Sequence, residues 1–183
     1  ADPSAKLLWR KPPIRLEAET IRDSMLQVSG LLQSKMYGRH EPIKRGPDGQ
    51  WLEDETKGSA NRRSLYLQQS RTRPVAFLHA FDAPTMTADN QTQRFRSALP
   101  SQSLALLNSP LLLRTSKAFA GQVLEQSRGD IDQALKMAVT AAYNRPATAR
   151  ELAIGKQAVA SGPDGLRLFL QALFGANDFL YSY

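Results

Sequence analysis

Apolar residues recur at helical spacing over most of the chain. Ile14, Ala18, Ile21, Met25, Val28 and Leu32 step by four and three, which places them on one stripe of a helix. Pro12 and Pro13 suit its first turn, and Gly38 with Pro42 bound its end, so the spacing predicts a long N-terminal helix over 13–36. Residues 38–61 lose the period. They are rich in Gly, Pro and charge, with Trp51 as the one large anchor, and read as a long loop excursion. Ser64 to Gln68 alternates enough for a short strand, and Pro74 to Ala80 admits a strand or a helical turn, which gives a minor irregular or β element near 62–80.

From Pro100 the pattern is helix after helix. In L-P-S-Q-S-L-A-L-L-N-S-P, Leu99 to Pro110, Pro100 opens a helix with its fixed φ, Asn108 closes it, and Ser109 with Pro110 starts the next. That next helix carries Leu112, Phe119 and Val123 on one face and ends at Gly129. Asp130 then caps a run with Ile131, Leu135, Ala138 and Ala142, stopped by Asn144 and Pro146. Thr148 and Glu151 spell a capping box, with Leu152, Gly155 and Val159 inward. A G-P-D-G turn at Gly162 to Gly165 leads into Leu166, Phe169, Leu170 and Leu173. Short connections favour antiparallel neighbours. The fold class is therefore mainly α, a C-terminal antiparallel helical bundle over 100–183 with a long N-terminal helix and the minor β element. Residues 1–183 form a single domain, expected to be the C-terminal part of a larger protein.

Composition changes this picture little. The chain of 183 residues is 42% hydrophobic and 22% charged, which is globular and large enough to bury a core without staples. No apolar run approaches the roughly 20 residues that a membrane span needs. With no cysteine there is no disulfide, no thiolate metal site and no C-x-x-C-H haem attachment, so no cofactor is expected in this chain.

Charge is more informative. The net charge is +7, and Arg62, Arg63, Arg71, Arg73, Arg94 and Arg96 fall where the acids are only Asp82 and Asp89. One reading makes Arg62, Arg63, Arg94 and Arg96, with Asp82, an anion-binding patch. The other pairs these arginines with Glu17, Glu19, Asp23 and Asp82, knitting helices to loops through planar guanidinium forks. Asp82, in F-D-A-P at Phe81 to Pro84, is expected to accept backbone donors and fix a loop beside a buried Phe81, or to line a polar pocket with Arg94 or Arg96. No zinc-finger, RNP-type or helix-turn-helix signature supports nucleic acid as partner.

Catalytic chemistry is sparse. His40 and His79 are far apart in the chain, without the partners a metal site needs. Neither G-x-S-x-G nor G-x-x-x-x-G-K-[ST] occurs. The carboxylates at Glu17, Glu19 and Asp23, and at Glu53, Asp54 and Glu55, sit on one helix face or one loop, which does not place two of them across a cleft. No catalytic or metal-ligating residue is assigned.

The motifs carry one further signal. R-L-E-A-E-T-I-R-D at Arg15 to Asp23, R-R-S-L-Y at Arg62 to Tyr66, F-D-A-P, L-P-S-Q-S-L-A-L-L-N-S-P, N-R-P-A-T-A-R-E-L at Asn144 to Leu152 and N-D-F-L-Y at Asn177 to Tyr181 occur in that order. Together they resemble the planctomycete-specific (PSD-type) domain of unknown function 1553, the C-terminal module of cytochrome-c-linked exported proteins. The resemblance implies a noncatalytic interaction or scaffold module, a periplasmic or extracellular location, and partners among upstream domains of the same protein or other exported proteins. Any haem would belong to another domain. The arginine cluster adds an alternative, an enzyme or binding protein acting on sulfated or otherwise acidic polysaccharide.

Overall fold

The computed structural model describes residues 11–55, 60–84, 94, 97 and 99–182. Near its two ends the described chain clasps. Ile14–Arg15 (β1) pairs antiparallel with Tyr181–Ser182 (β4), with Ile14 opposite Ser182 and Arg15 opposite Tyr181, and the Leu16 N–H donates to the Leu180 carbonyl at 2.8 Å.

The first helix, Ala18–Val28 (α1), is shorter than the 13–36 expected from its apolar stripe. Its early residues are drawn into β1, and its end is set by Gly30 at φ +70, where Leu31 and Leu32 turn back to the Leu26 carbonyl. A Cβ at Gly30 would also stand 2.8 Å from Gln122 Oε1, so both backbone and packing require glycine there. Ala18, Ile21, Met25 and Leu26 face the core, and Arg22 faces it with them.

The excursion at 38–61 contains a hairpin. Ile43–Arg45 (β2) pairs antiparallel with Trp51–Glu53 (β3) around Gly46 to Gln50, where the Gly46 N–H donates to the Gln50 carbonyl at 2.7 Å and the Gln50 N–H donates to Asp48 Oδ1. The strand expected over Ser64 to Gln68 is instead a 3-10 turn, Ser64–Tyr66. Single parallel bridges join Gln33 to Arg62, Glu41 to Leu67 and Trp51 to Val75. Of the two forms open to 74–80, the helical one is found, as Ala76–Ala80 (α2).

The remaining helices follow their local caps. Pro100–Asn108 (α3) and Pro110–Gln126 (α4) meet at Ser109, whose hydroxyl accepts the Leu112 N–H at 3.3 Å. Asp130 caps Ile131–Tyr143 (α5), which Asn144 ends in the left-handed region. The Thr148–Glu151 box opens Ala149–Ala160 (α6). Gly165–Gly175 (α7) and Asn177–Leu180 (α8) complete the bundle.

Helix α7 is its centre, packed on α4 and α6 with Leu166, Phe169, Leu170, Leu173 and Phe174 buried. Phe174 stacks on Phe119 at 5.7 Å and meets Phe179 edge-on at 5.0 Å. The α6–α7 turn is tight enough that a Cβ at Gly165 would fall 1.8 Å from the Ala158 carbonyl oxygen. The structure is mainly helical with two small antiparallel sheets among the described residues. No described helix is long and apolar enough to cross a membrane.

Candidate functional site

Three of the six arginines in the sequence motifs, Arg15, Arg22 and Arg62, end inside the fold. Arg22 is fully buried on the core face of α1. Its Nε lies 2.8 Å from Glu53 Oε1 on β3, its Nη2 donates to the Ala60 carbonyl, and its Nη1 donates to the Arg62 carbonyl and Ser64 Oγ. Asp23 Oδ1 accepts both the backbone N–H and the hydroxyl of Ser64 at 2.7 Å. A buried guanidinium is tolerable only when its donors are matched in this way. This node ties α1 to the hairpin and to the 3-10 turn.

Arg62, a candidate anion ligand, is a second node. It is 2% exposed, lies 2.6 Å from Glu41 Oε1, donates to the carbonyls of Lys35, Tyr37 and Arg39, and covers the Tyr66 ring at 3.9 Å. It holds the loop after α1 in place and presents no free donor face to an anion. Arg63 beside it is 61% exposed, with Nε 3.9 Å from Asp23 Oδ2, and is the most solvent-open of the described candidates.

Asp82 sits at φ +61, a backbone region that Asp tolerates better than most residues. Its Oδ2 accepts Arg15 Nη2 at 2.6 Å and the Ser97 N–H at 2.7 Å, and its Oδ1 accepts the Ser97 hydroxyl at 2.8 Å. Burial works to raise its pKa, but the Ser97 and Arg15 hydrogen bonds together prevail and hold the carboxyl below the usual range. Gln102 Nε2 donates to the Ser97 carbonyl, so F-D-A-P, the N-terminal strand and the start of α3 form one network. Asp82 fixes a loop, as expected, but through Ser97 and Arg15 rather than its own neighbours.

Arg94 does not join Asp82 in an ion pair. It lies 2.7 Å from Glu19 Oε2 and 3.4 Å from Glu17 Oε2, and the Glu19 hydrogen bond raises its pKa. It offsets the crowding of negative charge that Glu17 and Glu19 make at the start of α1. Arg96 lies outside the described residues. Of the five candidates, Asp82 and Arg94 border the same small void beside Arg15, while Arg62 and Arg63 belong to the network around Asp23 and Glu41.

A cleft of about 870 Å³ opens between β3, α2 and α3, and of the described candidates Asp82 lines it. Trp51, Leu52, Phe77, Leu104 and Leu111 form its apolar wall, with Leu104 59% exposed. Asp48, His79, Ser101 and Asn108 stand along it as polar groups. A sequence signal for it existed in α3, where Leu104 and Leu107 share a face that cannot also be the face of buried Leu106. His79 makes no hydrogen bond to Ser101 or to the Asp82 carboxylate, and Glu53 and Asp82 are held by Arg22 and Arg15. No nucleophile–base contact of the kind used in acyl transfer is assembled among these groups. Among the described residues no cluster of His, Asp or Glu could hold a metal ion.

The sequence model of a family described as a protein of unknown function, DUF1553 (PSD1), matches residues 1–159, which ends within α6. No curated protein and no solved structure matches the chain.

Proposed function

The chain belongs to this family of proteins of unknown function, and we propose that it is a noncatalytic interaction module of an exported multidomain protein. One observation carries the proposal. Of the six motif arginines, Arg15, Arg22, Arg62 and Arg145 each make a close ion pair with a carboxylate of the same chain, while an apolar cleft with a half-exposed leucine wall opens between β3, α2 and α3. Internal pairing makes a rigid frame. An exposed apolar surface beside such a frame is where a partner gains most from burial.

Capture by the tagged chain from an exported-protein extract, with an acidic polysaccharide in the wash and mass spectrometry as readout, tests this. A stoichiometric protein partner that survives the wash is the expected result. Retention on the polysaccharide with no protein partner would replace the module by a polymer-acting protein.

A further inference from the structure

We propose that the cleft between β3, α2 and α3 receives a segment of a partner protein that presents an apolar side chain flanked by lysine or arginine. This rests on the interaction-module reading and names the chemistry of the partner.

The volume, about 870 Å³, lies within the roughly 300–1,000 Å³ typical of built binding sites. Its walls are apolar, and Leu99 and Leu104 at 51% and 59% exposed leave part of that surface in water. Covering it is favourable in proportion to the apolar area removed. A side chain of the partner, rather than a sugar ring, suits the two aromatic residues of the wall, of which Phe77 is buried. The Trp51 ring already has the Arg73 guanidinium over it at 5.1 Å, which leaves the indole a wall more than a stacking platform.

Charge decides the flanks. The chain has 24 Lys and Arg against 17 Asp and Glu, yet the charged side chains lining the cleft among the described residues are Asp48, Glu53 and Asp82, with no lysine or arginine. Arg22 and Arg15 neutralise Glu53 and Asp82. Asp48 is different. It is exposed and, among the described residues, accepts only the Gln50 N–H and has no ion pair, so its charge is open to a partner's cation. Ser101, Asn108 and His79 add polar side chains without hydrogen-bond partners among the described residues, suited to the backbone of a bound segment.

The test uses fluorescence anisotropy on the full chain with three labelled short peptides that share a central leucine and differ in flanks of lysine, glutamine or glutamate. The lysine-flanked peptide is expected to bind about 10-fold or more tightly than the glutamate-flanked one, a difference of about 1.4 kcal/mol. Leu104→Asp should abolish binding of all three, and Asp48→Asn should abolish the preference while leaving binding. Both positions are exposed, and a circular dichroism melt checks that the variants fold. Equal binding of the three peptides by the unaltered chain, binding that survives Leu104→Asp, no binding by any peptide, or displacement by a neutral oligosaccharide would each overturn the proposal. If capture yields a partner that Leu104→Asp still holds, the interaction module stands and the cleft assignment falls.

Discussion

Arg15 and Asp82, 67 positions apart in the chain, meet at 2.6 Å with the Arg15 side chain 6% exposed. The contact closes the N-terminal strand over F-D-A-P, and Ser97 completes it. Asp82→Asn keeps the shape and tolerates φ +61, but leaves the Arg15 charge buried with only carbonyl partners. A loss of about 2–3 kcal/mol is expected from urea denaturation. Asp82→Ala should lose more, because it adds backbone strain to the orphaned hydrogen bonds.

Arg22 offers a sharper case. Replacing it by Met strands Glu53 in the core and should cost about 3–5 kcal/mol, whereas the double variant with Glu53→Leu should recover a large part. A double-mutant cycle on the two positions measures the coupling. Additive losses would mean that the pair does not act as a unit.

The polar node of the bundle contributes to the acid response. Arg145 donates to both oxygens of Glu151 and, with Thr148, holds that carboxyl at about 2 against an ordinary 4.5. A depressed folded-state pKa gives stability that is complete above about 4.5 and lost as pH falls toward 2. Glu151→Gln should therefore flatten the decline of stability across that window, followed by circular dichroism at fixed urea.

At the other end of the scale, burial and the nearby Asp178 and Glu151 push Tyr143 up to about 12. Its hydroxyl donates to the Leu173 carbonyl at 3.2 Å. For this acid, a raised folded-state pKa means stability that is present below the ordinary value of 10 and lost as pH rises toward 12. Ultraviolet titration should show one tyrosine ionising late, and Tyr143→Phe should remove it.

Close helix packing gives a steric prediction. A Cβ at Gly155 would stand 2.7 Å from Leu135 Cδ2 and 3.2 Å from Phe169 Cζ. Both are ends of side chains, so Gly155→Ala should cost about 1–3 kcal/mol. Gly165→Ala meets backbone at Ala158 instead and should be the more damaging in thermal melts.

The bundle was legible because its signals are local. Ser109, Asp130, Asn144 and the Thr148–Glu151 pair act within a turn of their own helix, and each does so in the structure. The first helix is shorter than its apolar stripe because distant parts set its ends, Tyr181–Ser182 on one side and Gln122 against Gly30 on the other. The hairpin was missed since I-K-R and W-L-E do not alternate, and their pairing depends on the turn between them. Arg22 hides on a buried face that hydropathy assigns to apolar residues. The cleft is legible only in part, through Asp82 and the second leucine face of α3, because Trp51, His79 and Leu104 come from three segments that only the fold brings together.

The interaction-module reading is tested most directly by capturing partners with three forms of the tagged chain in parallel. These are the unaltered protein, Leu104→Asp, and Arg63→Ala with Arg94→Ala. Each alters only exposed or half-exposed side chains, so a melt should show all three folded. The expected result is one stoichiometric protein partner held by the unaltered and arginine forms through an acidic-polysaccharide wash and lost from Leu104→Asp. Retention on the polysaccharide alone, kept by Leu104→Asp and lost with the arginines, would contradict it.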